Sequence, residues 1–232
     1  MAAACTQGPG AIVEIGSFKG KSTIMLAKIC QHYGLGSVVA IDPHNFNSQE
    51  LQIHRSEQTP STFGEFLSNL RSAGVYDYVD IQKNRSHDVA SGWKAPIRFL
   101  WIDGDHSYPG AKADFEDFLP HVVPGGIVAF HDALHEFAGP IRVFAEDVLR
   151  SNRFGPSGFV GSIAWSQFRP LDGSKFESQR RSLDRLAAPL IPYVSDETSL
   201  SGLRKMIFKL KRSRVPRALS TLEEWVARFQ VI

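Results

Sequence analysis

The chain has 232 residues, 43% of them hydrophobic, and a formal net charge of +2 at pH 7. This length suits one α/β domain with additions. The two cysteines, Cys5 and Cys30, are too few for a disulfide framework and lack metal-ligand spacing. No apolar run reaches the ~18 residues of a transmembrane helix, and residues 1–5 lack the charged and apolar regions of a signal peptide. We therefore expect a cytoplasmic protein with no transmembrane segment.

Strand-like and helix-like segments alternate along the chain. Such alternation predicts a parallel sheet with helices on both faces. The segment 158–168 is expected to add closing strands at one edge, and the polar stretch 45–60 is predicted to be a loop over the ligand site. The predicted strands are 11–16, 37–42, 77–81, 97–103 and 125–131, and the predicted helices are 20–32, 61–73, 86–92, 109–119 and 138–151.

The first strand turns through glycines into a helix, which brings backbone N–H groups and the positive end of a helix to one place. A phosphate-binding P-loop requires G-x-x-x-x-G-K-[ST], but here only three residues separate Gly16 from Gly20. A dinucleotide fingerprint fails because Phe18 occupies the position of its second glycine. Glu14 precedes this loop, and an acid there repels phosphate but suits a cationic ligand with hydroxyl and amino groups. An ordinary strand-to-helix turn is the alternative.

The second predicted strand ends in an acid, Asp42. It lies about 20 residues beyond the glycine loop, where a nucleotide-binding fold places its ribose acceptor. A carboxylate there can accept hydrogen bonds from both ribose hydroxyls. The alternative is that Asp42 caps the next turn.

Two later strands each deliver acids and histidines to the same edge of the predicted sheet. Asp103, Asp105 and His106 follow one strand, and His131 and Asp132 follow the next. Carboxylates with an imidazole suit Mg²⁺, Mn²⁺ or Zn²⁺, and such an ion could lower the pKa of a substrate hydroxyl. Alternatively, the acids bind loop backbone and His106 caps the following helix.

Three motifs follow one another in order: Asp42-Pro43-His44, then Ile102-Asp103-Gly104-Asp105-His106-Ser107-Tyr108 continuing to Asp114-Phe115, then Pro124-Gly125-Gly126-Ile127-Val128-Ala129-Phe130-His131-Asp132. Together they resemble one branch of the class I S-adenosylmethionine-dependent methyltransferases, which includes small-molecule and sugar O-methyltransferases. The resemblance covers roughly residues 10–165. It implies a Rossmann-like, seven-stranded, mostly parallel sheet whose last strand is antiparallel, with S-adenosylmethionine over the first two strand ends.

The resemblance also implies roles for individual residues. Asp103 matches the first metal-binding acid of cation-dependent relatives, and His131-Asp132 matches their second acidic pair, although several relatives carry an acid where this chain has His131. Asp103, His131 and Asp132 are therefore the predicted metal ligands, with a metal-free, histidine-assisted mechanism left open. The predicted cofactor contacts, from the methionine end to the ribose and adenine, are Glu14, Gly16, Ser17, Phe18, Gly20, Ser22, Asp42, Ser86 and Asp103.

Methyl transfer from an activated sulfonium needs alignment of the nucleophile and a group that accepts its proton. His106 is the first candidate for this base and His131 is the second; a structural role is the alternative for each. The predicted function is S-adenosylmethionine-dependent O-methylation of a hydroxyl on a small molecule or saccharide, with help from Mg²⁺ or another divalent cation left open. The rival hypothesis is a non-catalytic, methyltransferase-like binding module.

The last third of the chain differs in charge from the rest. Residues 166–232 carry 13 Lys and Arg against 7 Asp and Glu, a balance of +6, which leaves −4 for residues 1–165. We predict a cofactor-binding domain over 1–168 and a basic helical extension over 169–232 that serves as cover, lid or homodimer contact. Apolar residues from Leu200 to Leu210 have helical spacing and predict a docked helix with a solvated polar face, although a basic amphipathic helix also suits a membrane or an acidic partner.

A further helix is predicted over 219–229. Nucleic-acid binding is not expected, because the basic residues lack interleaved aromatic side chains and the catalytic half is acidic.

Overall fold

The computed structural model describes residues 9–45, 62–196 and 200–217. Its strands are β1 (Ala11–Ile15), β2 (Val38–Ile41), β3 (Val79–Gln82), β4 (Ile97–Ile102), β5 (Val122–Phe130), β6 (Phe154–Val160) and β7 (Ile163–Phe168). Its α-helices are α1 (Lys21–Tyr33), α2 (Thr62–Ser72), α3 (Ser86–Gly92), α4 (Tyr108–Phe118), α5 (Ala138–Val143), α6 (Glu177–Ala187) and α7 (Gly202–Arg212).

In the described part of the chain, the strands form one seven-stranded sheet in the order β3-β2-β1-β4-β5-β7-β6. The pairs among β3, β2, β1, β4 and β5 are parallel, whereas β7 runs antiparallel to both β5 and β6. This topology confirms the predicted Rossmann-like sheet with an antiparallel last strand. The carboxyl ends of β1, β2, β4 and β5 therefore meet at one edge, where open α/β sheets bind ligands.

The central strands are buried on both faces, so side chains that alternate along a strand enter different cores. Ile12 of β1 packs in a core with α1 and α2, together with Phe99 and Trp101 of β4. Val13 and Ile15 face the opposite core. Glu14 has the same parity as Ile12, so its carboxylate points to the α1 side of the sheet and is buried there.

Two segments differ from their predictions. The predicted helix 138–151 is a short α5 followed by a π-helix, Phe144–Leu149. The widened turn accompanies packing of Phe144 against Phe130 and Phe159, with ring centroids 6.0 and 5.2 Å apart. The edge strands form a hairpin that begins at Phe154, before the predicted 158, because the glycines and proline of β6 conceal its strand pattern.

Residues beyond 168 share the core with the strands. Leu183, Leu190, Phe208 and Val215 belong to the same buried cluster as Leu100 of β4. The division at residue 168 stays a prediction.

Two predicted segments lie outside the described residues: the helix 219–229, and the loop 45–60 apart from residue 45. Across the described ranges, each helix is too short or too polar to cross a membrane.

Arg180 joins the C-terminal segment to the sheet. Its buried guanidinium on α6 donates hydrogen bonds to the carbonyl oxygens of Leu149 (3.2 Å), Gly173 (2.6 Å) and Phe154. Burial lowers the pKa of Arg180. A buried guanidinium is tolerated only when its N–H donors are satisfied. The Arg180 side chain therefore holds α6 against the segment between the π-helix and α6.

Replacing Arg180 with Met should lower the free energy of unfolding by about 3 kcal/mol, because three buried carbonyl groups lose their donor. Urea unfolding followed by circular dichroism measures the change. The matched control is Arg181→Met, since the neighbouring Arg181 side chain is 70% exposed and pairs only at the surface with Glu177. That control should change stability by less than about 0.5 kcal/mol; equal losses for both variants would contradict the assigned role of Arg180.

Candidate active site

The parallel backbone ladder continues for one residue past the central strands. These residues are therefore held side by side at the carboxyl edge of the sheet, with their N–H groups bonded to the last residue of a neighbouring strand. The bonds are Gly16 N–H to Ile41 O (2.9 Å), Asp42 N–H to Gln82 O (3.1 Å), Asp103 N–H to Ile15 O (2.8 Å) and His131 N–H to Ile102 O (2.9 Å).

The glycine loop depends on two positions with positive φ. Gly16 has φ 86°, and a Cβ atom placed there would lie 2.0 Å from the carbonyl oxygen of Asp103, so a side chain cannot be accommodated. Gly20 has φ 87° and lies against the ring of Phe66. Phe18, between them, has φ 46° and is 46% exposed. The loop thus brings β1 close to the end of β4 and then enters α1.

Glu14 is fully buried beneath this loop. The hydroxyl of Thr23 donates a hydrogen bond to its Oε2 atom. Burial raises the pKa of Glu14 to about 7, with the hydroxyls of Ser22 and Thr23 opposing the shift and the charges of Asp103 and Asp42 adding to it. Its Oε1 atom is buried and accepts no hydrogen bond of normal geometry from the described residues. A buried carboxylate with an unpaired oxygen is stabilised by a cation that binds beside it.

Ser17 and Ser22 complete the loop. Ser17 is buried, and its hydroxyl has no hydrogen-bond partner in the described part of the chain. The hydroxyl of Ser22, at the start of α1, interacts with the Glu14 carboxylate and lowers its pKa. Unsatisfied buried polar atoms are costly in a folded protein and mark places where a ligand can supply the missing partner.

Asp42 joins the two neighbouring loops. Its Oδ2 atom accepts a hydrogen bond from the Phe18 N–H, and its Oδ1 atom accepts one from the His44 N–H, each at 2.7 Å. The turn-capping role anticipated as an alternative is therefore present. Each oxygen keeps a second lone pair, so this role leaves room for a ribose hydroxyl.

Buried Asp114 pairs with the half-buried Ser86 next to the rim. The Ser86 hydroxyl donates to Asp114 Oδ1 at 2.5 Å, and burial raises the pKa of Asp114 to about 6. A Cβ atom on Gly104 would lie 2.7 Å from Asp114 Oδ2, so the acid lies directly under the loop that follows β4. The adenine role of Ser86 stays a prediction. The signal for Asp114 was its position on the apolar side of α4, with Ala111 and Phe118.

The predicted metal ligands come together. Nδ1 of His131 lies 3.2 Å from Asp103 Oδ1 and 3.0 Å from Asp132 Oδ1. One potential ligand atom from each of the three residues lies within 4.8 Å of the other two. His135, which the sequence analysis did not consider, lies 3.6 Å from Asp132 Oδ1. Its spacing of three residues from Asp132 was the available signal.

The two carboxylates make this corner favourable for positive charge. Hydrogen bonding to Asp103, and then to Asp132, raises the pKa of His131 to about 10 against the opposing effect of burial. The ring of Trp101 packs against the imidazole, with centroids 5.6 Å apart. The two carboxylates thus favour the positively charged form of His131.

His106 lies beside the same two carboxylates. Its Nε2 atom is 3.5 Å from Asp103 Oδ1 and 3.7 Å from Asp132 Oδ2, and its ring stacks on Phe137 with centroids 4.4 Å apart. His106 does not cap α4, because the hydroxyl of Ser107 accepts the hydrogen bond from the Gly110 N–H. The imidazole of His106 therefore belongs to the cluster at the rim.

Asp105 bends the chain instead of joining this cluster. Its Oδ1 atom accepts a hydrogen bond from the Ser107 N–H at 2.8 Å. Asp105 was predicted to join the acids at the rim, but its side chain stabilises the turn that follows β4.

Glu136 connects the C-terminal segment to the rim, which the sequence analysis missed. Its carboxylate lies 2.9 Å from the Lys205 ammonium and accepts a hydrogen bond from the Leu200 N–H at 3.1 Å. Arg212 donates to the carbonyl oxygen of Leu134 at 3.2 Å. The turn that carries Asp132 is thus buttressed by residues from the far end of the chain.

A family model described as a methyltransferase domain matches residues 13–133, just over half of the chain. The matched region begins at β1 and ends directly after Asp132. The chain belongs to this methyltransferase family. The matched region of the chain contains every predicted cofactor contact and every predicted metal ligand.

Solved structures with the same fold include two O-methyltransferases. TomG from Streptomyces achromogenes, in complex with S-adenosylmethionine, has a TM-score of 0.53 and 22% identity, covering 72% of this chain and 76% of TomG. CalS11, a TDP-rhamnose 3'-O-methyltransferase of calicheamicin biosynthesis, has a TM-score of 0.53 and 17% identity, covering 71% of this chain and 74% of CalS11. The class I methyltransferase fold is confirmed.

A curated relative is the uncharacterised protein R132 of Acanthamoeba polyphaga mimivirus, 29% identical over 120 residues. The match covers 52% of this chain and 50% of that protein. The chain thus spans about half the length of the curated relative.

Proposed function

We propose that this member of the methyltransferase family transfers the methyl group of S-adenosylmethionine to a hydroxyl of a small molecule or saccharide. The observation that carries the proposal is the placement of three acids around one glycine loop: Asp42 and Asp103 at the sheet edge and Glu14 buried in β1 beneath the loop. Three acids around one loop suit a cationic ligand with an amino group and two ribose hydroxyls.

The buried polar atoms fit the cofactor. The Oε1 atom of Glu14 lacks a normal hydrogen bond, and the amino group of the methionine part would supply one. Asp42 retains acceptor capacity for the ribose. When bound, S-adenosylmethionine supplies the electrophilic methyl group; the protein aligns the acceptor with it and excludes water.

We assign the base to His106. It lies at the rim beside Asp103 and Asp132, and the stacked ring of Phe137 holds the imidazole plane. In this role its imidazole would accept the hydroxyl proton as the oxygen attacks. The high pKa of His131 makes it less suited to this task while no metal is bound.

Asp103, His131 and Asp132 suit a divalent cation. Adjacent ligands of an octahedral ion with bonds of about 2.1 Å lie about 3.0 Å apart, and the His131 contacts with the two acids measure 3.2 and 3.0 Å. Such an ion, when bound, would lower the pKa of the acceptor hydroxyl. The same corner with a protonated His131 supports the metal-free, histidine-assisted alternative.

Fold neighbours support the acceptor class by analogy alone. CalS11 is named for methylation of a nucleotide sugar and TomG for O-methylation. The rival proposal, a binding module without catalysis, retains the cofactor contacts and lacks turnover. Nucleic acid is not proposed as a partner, and cytoplasmic location and homodimer formation stay predictions.

The proposal is tested first by calorimetric titration with S-adenosylhomocysteine, with Mg²⁺ and after EDTA. Wild-type protein should bind with micromolar affinity, and Asp42→Ala should weaken binding at least about tenfold by removing both ribose contacts. The control is Asp80→Ala, an acid on edge strand β3 away from the glycine loop. Absence of binding under all conditions would refute the cofactor assignment; binding without transfer to any hydroxylated acceptor would favour the binding module.

Cofactor affinity should depend on the ionisation of Glu14. With a pKa of about 7, the carboxylate is mostly neutral below that pH and mostly charged above it, so S-adenosylhomocysteine should bind about tenfold more weakly near pH 6 than near pH 8. Glu14→Gln should remove most of this dependence, whereas Glu116→Gln, on the exposed side of α4, should retain it. A pH dependence that survives Glu14→Gln would show that another group is responsible.

The metal hypothesis is tested by Mn²⁺ binding, read by electron paramagnetic resonance without any enzyme assay. Wild-type protein should bind one ion, and Asp132→Asn should weaken it by about tenfold to a hundredfold. Asp105→Asn is the matched control, because an asparagine can still accept the bond from Ser107. If wild-type protein binds no Mn²⁺, or if both variants weaken it equally, this site does not hold a metal.

A further inference from the structure

The outward face of α7 is apolar. Leu203, Met206 and Leu210 are 66%, 62% and 59% exposed, and their spacing of three and four residues places them on one side of the helix. The inward side holds buried Phe208 and Lys205, which pairs with Glu136. The helix has the solvated face that was predicted, with exposed Arg204 and Lys209, but Leu203 and Leu210 lie in solvent as well and do not dock on the core.

The surroundings of this stripe are strongly basic. Residues 200–217 contain seven Lys and Arg and no Asp or Glu. On the helical projection, Lys209 lies on one flank of the stripe, and Arg204 and Lys211 lie on the other. Arg204 donates to the carbonyl oxygen of Pro192, and Lys211 lies 5.7 Å from the ring centroid of Tyr193, so both cations are anchored at the base of the helix.

An apolar stripe with cations on both flanks fits one kind of surface. Leucine and methionine side chains enter the boundary between headgroups and acyl chains, while Lys and Arg extend to anionic headgroups. An acidic protein would satisfy the cations but would leave the stripe without an apolar partner. With 11 residues, α7 is about 16 Å long, which is too short to span a bilayer, so it can only lie along the surface.

We propose that α7 is an interfacial helix that docks the protein on a membrane surface containing anionic lipids. The occupant of the exposed face is the lipid boundary itself, argued from the charge of the cations that flank the stripe, Lys209 on one side and Arg204 and Lys211 on the other, with no acid in residues 200–217. Glu136 ties Lys205 and Leu200 to the turn that carries Asp132, so the docking helix is attached to the candidate site through its inward side. The proposal does not depend on methyl transfer.

Co-sedimentation of the full chain with lipid vesicles tests this proposal. Vesicles of phosphatidylcholine with phosphatidylglycerol should bind wild-type protein, and vesicles of phosphatidylcholine alone should bind at least about fivefold less. The variant Leu203→Gln/Met206→Gln/Leu210→Gln should lose about tenfold or more of its partitioning. Glutamine is a good helix former, so α7 should persist; circular dichroism and S-adenosylhomocysteine binding check the fold.

Two controls separate this surface from general stickiness. Leu171→Gln changes a leucine that is 93% exposed but lies outside α7, and it should leave vesicle binding unchanged. Lys209→Gln should weaken binding to anionic vesicles about fivefold. Equal loss in the Leu171 control, or no binding of wild-type protein to anionic vesicles, would overturn the proposal. It would also be overturned if sedimentation showed a wild-type dimer that the triple variant converts to monomers, since the stripe would then be a contact between copies.

Discussion

Backbone hydrogen bonds that continue one residue past the parallel strands hold the candidate site together. They fix Gly16, Asp42, Asp103 and His131 in neighbouring positions, and strand spacing of roughly 4.8 Å determines how far apart their side chains begin. The close approach of Gly16 to the Asp103 carbonyl is part of the same constraint, because any Cβ atom would separate β1 from β4 at their ends. Site geometry is thus a property of the sheet and not of flexible loops.

This edge concentrates negative charge at some cost to the free protein. Burial raises the pKa of Glu14 from 4.5 to about 7. The folded state therefore holds that proton more tightly than the unfolded chain, and the resulting stabilisation is complete below pH 4.5 and is lost as the pH rises toward 7. Asp114 is shifted in the same direction by its burial. A cationic ligand would offset the charge at Glu14. Groups that are unfavourable in the free protein are common at functional sites, where the ligand compensates for them.

The C-terminal segment participates in both the core and the rim. Arg180 donates hydrogen bonds to carbonyl groups before β6, at its first residue and after β7. Glu136 binds Lys205 and the Leu200 N–H beside the Asp132 turn. These polar contacts use the inward side of α7, whereas Leu203, Met206 and Leu210 face outward. A helix attached through charge is free to present hydrophobic surface to another phase.

The order of strands and helices, the glycine loop, and the positions of Asp42, Asp103 and His131 at strand ends could all be predicted from the amino-acid sequence. Those features follow from local periodicity and from the rule that parallel strands share a carboxyl edge. Three other features required the folded chain: Ser86 binds Asp114 across 28 residues of sequence, Ser107 and not His106 caps α4, and α7 turns Leu203 outward. Periodicity reports which side chains share a face; what that face meets depends on packing between distant segments, which local pattern does not encode.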